Sequence, residues 1–278
     1  MAERAGVVGG GTMGAGIAHV LLLTGAEVVV VEGDASRVGV VREGIGAQLR
    51  RAMERGHAPD DPAIGDRLTV TDDLAALAGA ALVVEAVPEV LDLKLDLLPR
   101  IEAVLDASSL LATNTSSMSV SRLAQPLERR GRFCGMHFFN PVPRSQLVEL
   151  VTHDALEATA LDAARHWVDR LGKTAITVRD APGFASSRLG IALGMEAIRM
   201  VEEGVAVPED IDRAMELGYR HPMGPLRLTD LVGLDVRLAI ADYLSVELGE
   251  RFTPPQLLRD MVAEGRLGQK SGKGFYTW

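Results

Sequence analysis

His137 and Glu149 flank the segment His137-Phe138-Phe139-Asn140-Pro141-Val142-Pro143 and lie symmetrically about Pro143. A chain reversal there sets an imidazole beside a carboxylate. Such a pair suits the oxidation of an alcohol: the imidazole takes the hydroxyl proton while hydride leaves the same carbon. Glu149 would fix the tautomer of His137 and favour the imidazolium that forms. Spacing alone also leaves open, and as a bare inference favours, a structural histidine satisfied by its surroundings.

Hydride must go somewhere, and the N-terminal glycines offer a place. Gly9-Gly10-Gly11-Thr12-Met13-Gly14 fits G-x-G-x-x-G, a weak pattern by itself in a chain with 29 glycines. Its context adds meaning: it follows the first apolar run, opens a helical pattern, and is followed by a second apolar run ending in Glu32, about 20 residues on. Gly9 permits a tight turn, Gly11 lets backbone approach a pyrophosphate, and Gly14 allows close packing of helix on strand. Glu32 would accept hydrogen bonds from the adenosine ribose and repel a 2′-phosphate, which favours NAD over NADP. Arg37 lies near enough in sequence to soften that preference. Two further polar segments fall at the ends of apolar runs: Glu85-Ala86-Val87-Pro88-Glu89 with Lys94, and Asn114-Thr115-Ser116-Ser117.

Positioning these groups requires a sheet. Short apolar runs predict strands at 5–8, 27–31, 68–70, 81–85, 110–113, 133–137, 147–151 and 175–178. Helical patterns lie between them at 13–24, 36–56, 91–105 and 155–171. The runs are rich in Val, Leu and Ala without clean alternation, as in a parallel sheet covered by crossover helices on both faces. Past Asp180-Ala181-Pro182-Gly183 the pattern turns helical. Segment 186–203, apolar almost all round, reads as the buried central helix of a second domain. Pro208 with Glu209 and Asp210 opens another helix. The expected architecture is α/β, a Rossmann-like doubly wound sheet over 1–180 followed by an all-α domain over 181–278.

Composition narrows the classes. The chain has 278 residues, 47% hydrophobic and 24% charged, with a formal net charge of −9. Dispersed acidic charge argues against nucleic acid or an anionic membrane as a partner, so any anionic ligand needs local positive charge. The single cysteine, Cys134, excludes an intrachain disulfide or a cysteine metal cluster, and no metal site is expected. It fits a reducing, cytoplasmic compartment. The uncharged stretch 5–26 is broken by glycines and His19, unlike a signal peptide or membrane span.

Five strings occur in order: Gly9-Gly10-Gly11-Thr12-Met13-Gly14-Ala15-Gly16-Ile17-Ala18, Asn114-Thr115-Ser116-Ser117, His137-Phe138-Phe139-Asn140-Pro141-Val142-Pro143, His221-Pro222-Met223-Gly224-Pro225 and Gly272-Lys273-Gly274-Phe275-Tyr276. Over essentially its full length the chain resembles the L-3-hydroxyacyl-CoA dehydrogenases, particularly the free-standing 3-hydroxybutyryl-CoA type. The resemblance implies an acyl-CoA substrate, NAD as cofactor, and a C-terminal domain that covers the cleft and forms a homodimer. It implies His137 as general base, Glu149 as its orienting partner and Ser116 as a hydrogen-bond donor to the substrate oxygen. It further implies that Glu89, Lys94, Asn140 and Lys270 contact NAD, and that Gln48 and Arg55 lie near CoA.

One departure stands out. Family members commonly carry asparagine where Ser187 stands in Pro182-Gly183-Phe184-Ala185-Ser186-Ser187-Arg188, and serine has shorter reach and no carbonyl. Lysine usage is a second feature: Lys94, Lys173, Lys270 and Lys273 are the only lysines among 29 basic residues. Competing expectations are a dehydrogenase of a free hydroxy acid or sugar acid, of the related L-gulonate type, and a catalytically silent NAD-binding protein.

Overall fold

The computed structural model describes residues 3–278. The chain divides into two compact units, one ending at Asp180 and one beginning at Ala181. In the first, eight strands make one sheet: β1 (Arg4–Val8), β2 (Glu27–Val31), β3 (Leu68–Thr71), β4 (Leu82–Glu85), β5 (Leu110–Thr113), β6 (Phe133–Phe138), β7 (Leu147–Thr152) and β8 (Thr174–Arg179). Their spatial order is β3-β2-β1-β4-β5-β6-β7-β8. All eight predicted strands are present within a residue or so at each end. The helices of this unit are α1 (Thr12–Leu23), α2 (Val38–Glu54), α3 (Leu91–Val104), the short α4 (Val120–Ala124) and α5 (Ala158–Arg170).

Consecutive residues of the central strands are buried, among them Val28 to Val31 and Leu82 to Val84. Both faces are therefore covered, which is why these strands read as unbroken apolar runs. Helix α1 is buried continuously from Gly14 to Leu22, whereas α2 buries only Val41, Ile45 and Leu49, one face at helical spacing. Cys134 is fully buried in β6, and desolvation pushes its thiol up to about 12, which leaves it inert at neutral pH.

The sheet departs from the expected parallel pattern at one place. β6 and β7 pair antiparallel, while the other neighbouring strands pair in parallel. The connecting segment, 139–146, is shorter than the dozen or so residues a parallel crossover requires, so the chain can only turn back.

The second unit is built from α6 (Ser186–Glu202), α7 (Pro208–Arg213), α8 (Pro225–Val232), α9 (Leu234–Leu248) and α10 (Gln256–Ala263). Helix α6 is not buried all round, contrary to the reading of its apolar composition. Ile191, Gly194, Met195, Ala197 and Ile198 face the core, while Leu189 is 70% exposed.

Two buried aspartates organise this unit. Asp212 accepts hydrogen bonds from the Leu226 and Arg227 amides at 2.8 and 2.9 Å, capping the start of α8, and from the Tyr276 hydroxyl at 2.7 Å. Burial, and then that carboxylate, raise the Tyr276 pKa. Asp230 accepts from the Phe275 and Tyr276 amides and the Trp278 indole, each at 2.9 Å. A Cβ on Gly224 would stand 2.2 Å from Asp212, and one on Gly274 would stand 2.2 Å from Asp230. The His221–Pro225 and Gly272–Tyr276 strings are thus the glycine-bearing sleeves of two buried carboxylates. Because Asp230 is fully buried and holds three donors, Asp230→Ala should cost about 2–4 kcal/mol. Urea unfolding followed by circular dichroism measures it; an unchanged midpoint would contradict the assignment.

Candidate active site

Parallel strands β1 and β4 are neighbours, with β2 beyond β1 and β5 beyond β4, so the chain switches direction across the sheet between them. Ligands of such sheets bind outside the carboxyl ends of the strands at that crevice. The loops after β1 and β4 meet there: a Cβ on Gly9, whose φ is +102°, would stand 2.7 Å from the Ala86 carbonyl oxygen. Gly14 is tighter, since a Cβ would lie 1.8 Å from the Gly9 oxygen. At Gly11, by contrast, nothing lies within 4 Å. The loop is therefore closed where helix packs on strand and open where a phosphate would approach the amides at the start of α1. Glu32, at the end of β2, is 8% exposed and accepts from the Gly10 amide at 3.1 Å and the Asp34 amide at 3.3 Å. Arg37 lies 3.9 Å away and is half exposed.

These groups open onto one cavity of about 870 Å³, whose walls run from the glycine loop through Thr12, Met13 and Glu32 to Glu89, Ser116, His137 and Asn140. Its size and mixed walls suit a dinucleotide, and the crowding at Gly9 and Gly14 beside the open Gly11 is the cradle such a ligand needs.

At its far end, β6 and β7 place His137 directly opposite Glu149. Residues so paired share a face, and His137 Nδ1 lies 2.7 Å from Glu149 Oε2. Glu149 is fully buried and His137 is 6% exposed. An imidazole that donates its Nδ1–H to a carboxylate has, in the neutral form, its lone pair on Nε2. Phe139 flanks the imidazole with ring centroids 4.4 Å apart.

Ser116 lines the same cavity and is held by Glu89. Glu89 Oε1 accepts from the Ser116 amide at 2.7 Å, the Ser116 hydroxyl at 3.3 Å and the Thr115 hydroxyl at 2.9 Å. Lys94 is 1% exposed, with its ammonium 2.6 Å from Glu85 and 3.3 Å from Glu89. Glu85 is itself saturated by the Val87 amide at 2.8 Å and the Thr113 hydroxyl at 2.7 Å. Lys94 therefore supports the rim from beneath rather than offering a free charge. Asn114 Oδ1 accepts from the Phe138 amide at 2.9 Å, tying the end of β5 to the strand that carries His137.

A second groove, about 890 Å³, lies along α1, α2 and the 139–146 loop. Gln48 and Arg55 both line it, together with Arg51 and Arg144, and its lining contains no Asp or Glu. Arg170 and Lys173 border it too, but Arg170 is paired with Glu3 and the Lys173 ammonium is held by the Val142 and Ser145 carbonyls. In a chain of net charge −9 this is the local positive charge that an anionic ligand requires. Asn140 and Thr12 border both spaces.

Residues 4–181 match the family model described as the 3-hydroxyacyl-CoA dehydrogenase NAD-binding domain, and residues 183–278 match the model of its C-terminal domain. The chain belongs to the 3-hydroxyacyl-CoA dehydrogenase family. A relative from Mycobacterium tuberculosis named 3-hydroxybutyryl-CoA dehydrogenase is 43% identical over 99% of this chain and 98% of its own length. A probable 3-hydroxybutyryl-CoA dehydrogenase from Deinococcus radiodurans is 41% identical over 98% and 99%. The crystal structure of (S)-3-hydroxybutyryl-CoA dehydrogenase from Ralstonia eutropha superposes with a TM-score of 0.94 at 37% identity, covering 100% of this chain and 99% of that one.

This member of the 3-hydroxyacyl-CoA dehydrogenase family is thus an oxidoreductase with a nicotinamide-nucleotide-binding domain. The expected residues of the first unit line two adjoining spaces, except Gly14, which packs against Gly9, and Glu149, which is fully buried against His137. The remaining two belong to the second unit: Ser187 in the first turn of α6, and Lys270 in a short 3-10 turn, where it pairs with Asp235 at 2.5 Å. Sequence reasoning gave no structural role to Glu85, Thr113 or Asn114. Glu85 and Asn114 do stand in the polar segments at strand ends, which was the available signal. Gly14→Ala should abolish quenching of protein fluorescence by NADH, because its methyl would overlap the Gly9 carbonyl; retained micromolar NADH binding would contradict this cradle.

Proposed function

We propose that the protein interconverts a short-chain 3-hydroxyacyl-CoA, 3-hydroxybutyryl-CoA above all, and the corresponding 3-ketoacyl-CoA. The observation that carries this reading is the buried His137–Glu149 contact at 2.7 Å at the end of a dinucleotide-sized cavity. When bound, NAD supplies the hydride acceptor. His137 Nε2 takes the C3 hydroxyl proton, and Glu149 holds the ring by Nδ1–H and stabilises the imidazolium. Ser116, its backbone amide fixed by Glu89, would turn its hydroxyl from the long Glu89 contact to donate a hydrogen bond to the reacting oxygen, which favours the charge that develops there.

The glycine loop Gly9–Gly14, with Thr12 and Met13, would meet the pyrophosphate at the start of α1, and Glu32 the adenosine ribose. The carboxylate at Glu32 supports NAD over NADP, with Arg37 as a partial counterweight. Glu89, Asn140 and Lys270 are assigned to the cofactor, as is Lys94 acting through Glu89. The acid-free groove with Gln48 and Arg55 is assigned to CoA. Residues 1–180 would be the nucleotide domain. Residues 181–278 would cover the substrate and pair two protomers, for which the exposed Leu189, Leu217 and Val246 supply apolar surface. Ser187, in place of the family's usual asparagine, would face the substrate. No helix among the described residues is long and apolar enough to cross a membrane, and we assign the enzyme to the cytoplasm.

With acetoacetyl-CoA, NADH should be consumed at least ~100-fold more efficiently than with free acetoacetate or L-gulonate, and NADPH should be the poorer donor. His137→Gln should lower kcat by ~1,000-fold or more while NADH still binds. Turnover on the free acids alone, or unchanged turnover by His137→Gln, would overturn this reading.

A further inference from the structure

Lys173 borders the basic groove, but its ammonium is bonded to backbone rather than used on the ligand or in the chemistry above, and it is one of four lysines in a chain that otherwise uses arginine for positive charge. It stands immediately before β8 and is 9% exposed. Its ammonium donates to two backbone carbonyls, Val142 O at 2.7 Å and Ser145 O at 2.5 Å. Both belong to the 139–146 loop. Burial alone moves its pKa, downward, with no charged neighbour contributing. An ammonium withdrawn from water and given carbonyls rather than a carboxylate is an expensive arrangement, and it fits a site where a compact cation must hold backbone.

The same loop also packs against α1. A Cβ on Gly16 of α1 would stand 2.9 Å from Val142 Cβ, so Val142 is seated against the helix that follows the glycine loop. Within the loop, the Arg144 and Ser145 amides both donate to the Pro141 carbonyl at 3.0 Å, forming a tight turn. Loop 139–146 is therefore held between α1 and Lys173. Its two ends lead directly into His137 and Glu149, and its early part carries Asn140, which borders both the nucleotide cavity and the basic groove.

We propose that Lys173 is a positioning residue for the dehydrogenase reaction: by clamping Val142 and Ser145 it sets the loop that places Asn140 and the His137–Glu149 pair against the nucleotide helix. This rests on the chemistry proposed above. Removing the clamp should disturb the reacting geometry more than the binding of either ligand, and displacement of about 1 Å at a reacting centre costs up to ~100-fold in rate.

The test compares Lys173→Ala, Gly16→Ala and the double variant, with His137→Gln as control, in steady-state acetoacetyl-CoA reduction and NADH fluorescence titration. Lys173→Ala should lower kcat by ~10-fold to 100-fold, with KM for acetoacetyl-CoA and Kd for NADH changed by less than about two-fold. Propylammonium added to that variant should restore part of kcat. Gly16→Ala, which pushes on Val142 of the same loop, should lower kcat in the same selective way, and the double variant should lose less than the product of the two. Wild-type kcat in Lys173→Ala, or a loss shared equally by kcat and NADH affinity and not relieved by propylammonium, would overturn the clamp. If Lys173→Ala does not fold, Gly16→Ala decides: a selective kcat loss supports the held loop, and wild-type kcat overturns it. An active His137→Gln would instead remove the underlying dehydrogenase reading, whereas an inactive one beside a fully active Lys173→Ala removes only the clamp.

Discussion

The antiparallel pairing of β6 with β7, in the register that sets His137 opposite Glu149, is the constraint on which the site depends. Twelve residues apart in sequence, the two side chains meet at 2.7 Å because the strands turn back through a loop too short for a crossover. A slip of one residue would send one of them to the other face of the sheet. The pairing is protected on both sides, since β5 lies beside β6 and β8 beside β7. A buried carboxylate without its imidazole would be costly, so the pair also reinforces the register that creates it.

The rest of the first unit supplies what that pair lacks. The switch between β1 and β4 opens a crevice, and the crowded Gly9 and Gly14 let the glycine loop and α1 face it. From β4, the chain Glu85–Lys94–Glu89 delivers a carboxylate that holds the backbone of Ser116, which lines the same cavity as His137. Beside it the basic groove concentrates positive charge that the chain as a whole does not have. The proposed proton-transfer pair, cofactor cradle and anion groove are thus separate devices, joined through Asn140 and Thr12, which border both spaces.

Much of this was legible in the sequence. The strands read clearly because burial on both faces makes them short apolar runs, and the glycine loop read through its context of strand, helix and acid. The direction of β7 did not show in its composition; it followed from the length of the connection before it. Helix α6 was read as buried all round because its composition is apolar, whereas Leu189 is exposed. The partners of Lys94 and Lys173 were hidden because they join residues through tertiary contact: Glu85 and Glu89 with one, the Val142 and Ser145 carbonyls with the other. Their only trace in sequence was the scarcity of lysine. Nothing in the sequence singles out Asp212 and Asp230, and only packing shows that the glycines of two family strings make room for them.

The central claim is that Glu149 acts through His137 on the chemical step and leaves cofactor binding alone. Single-turnover oxidation of enzyme-bound NADH by acetoacetyl-CoA in Glu149→Gln tests it most directly, since glutamine keeps the shape and hydrogen-bonding reach but removes the charge that stabilises the imidazolium. The account predicts a rate constant lower by ~100-fold or more with NADH affinity unchanged. A wild-type rate constant in a folded, NADH-binding Glu149→Gln protein would contradict it.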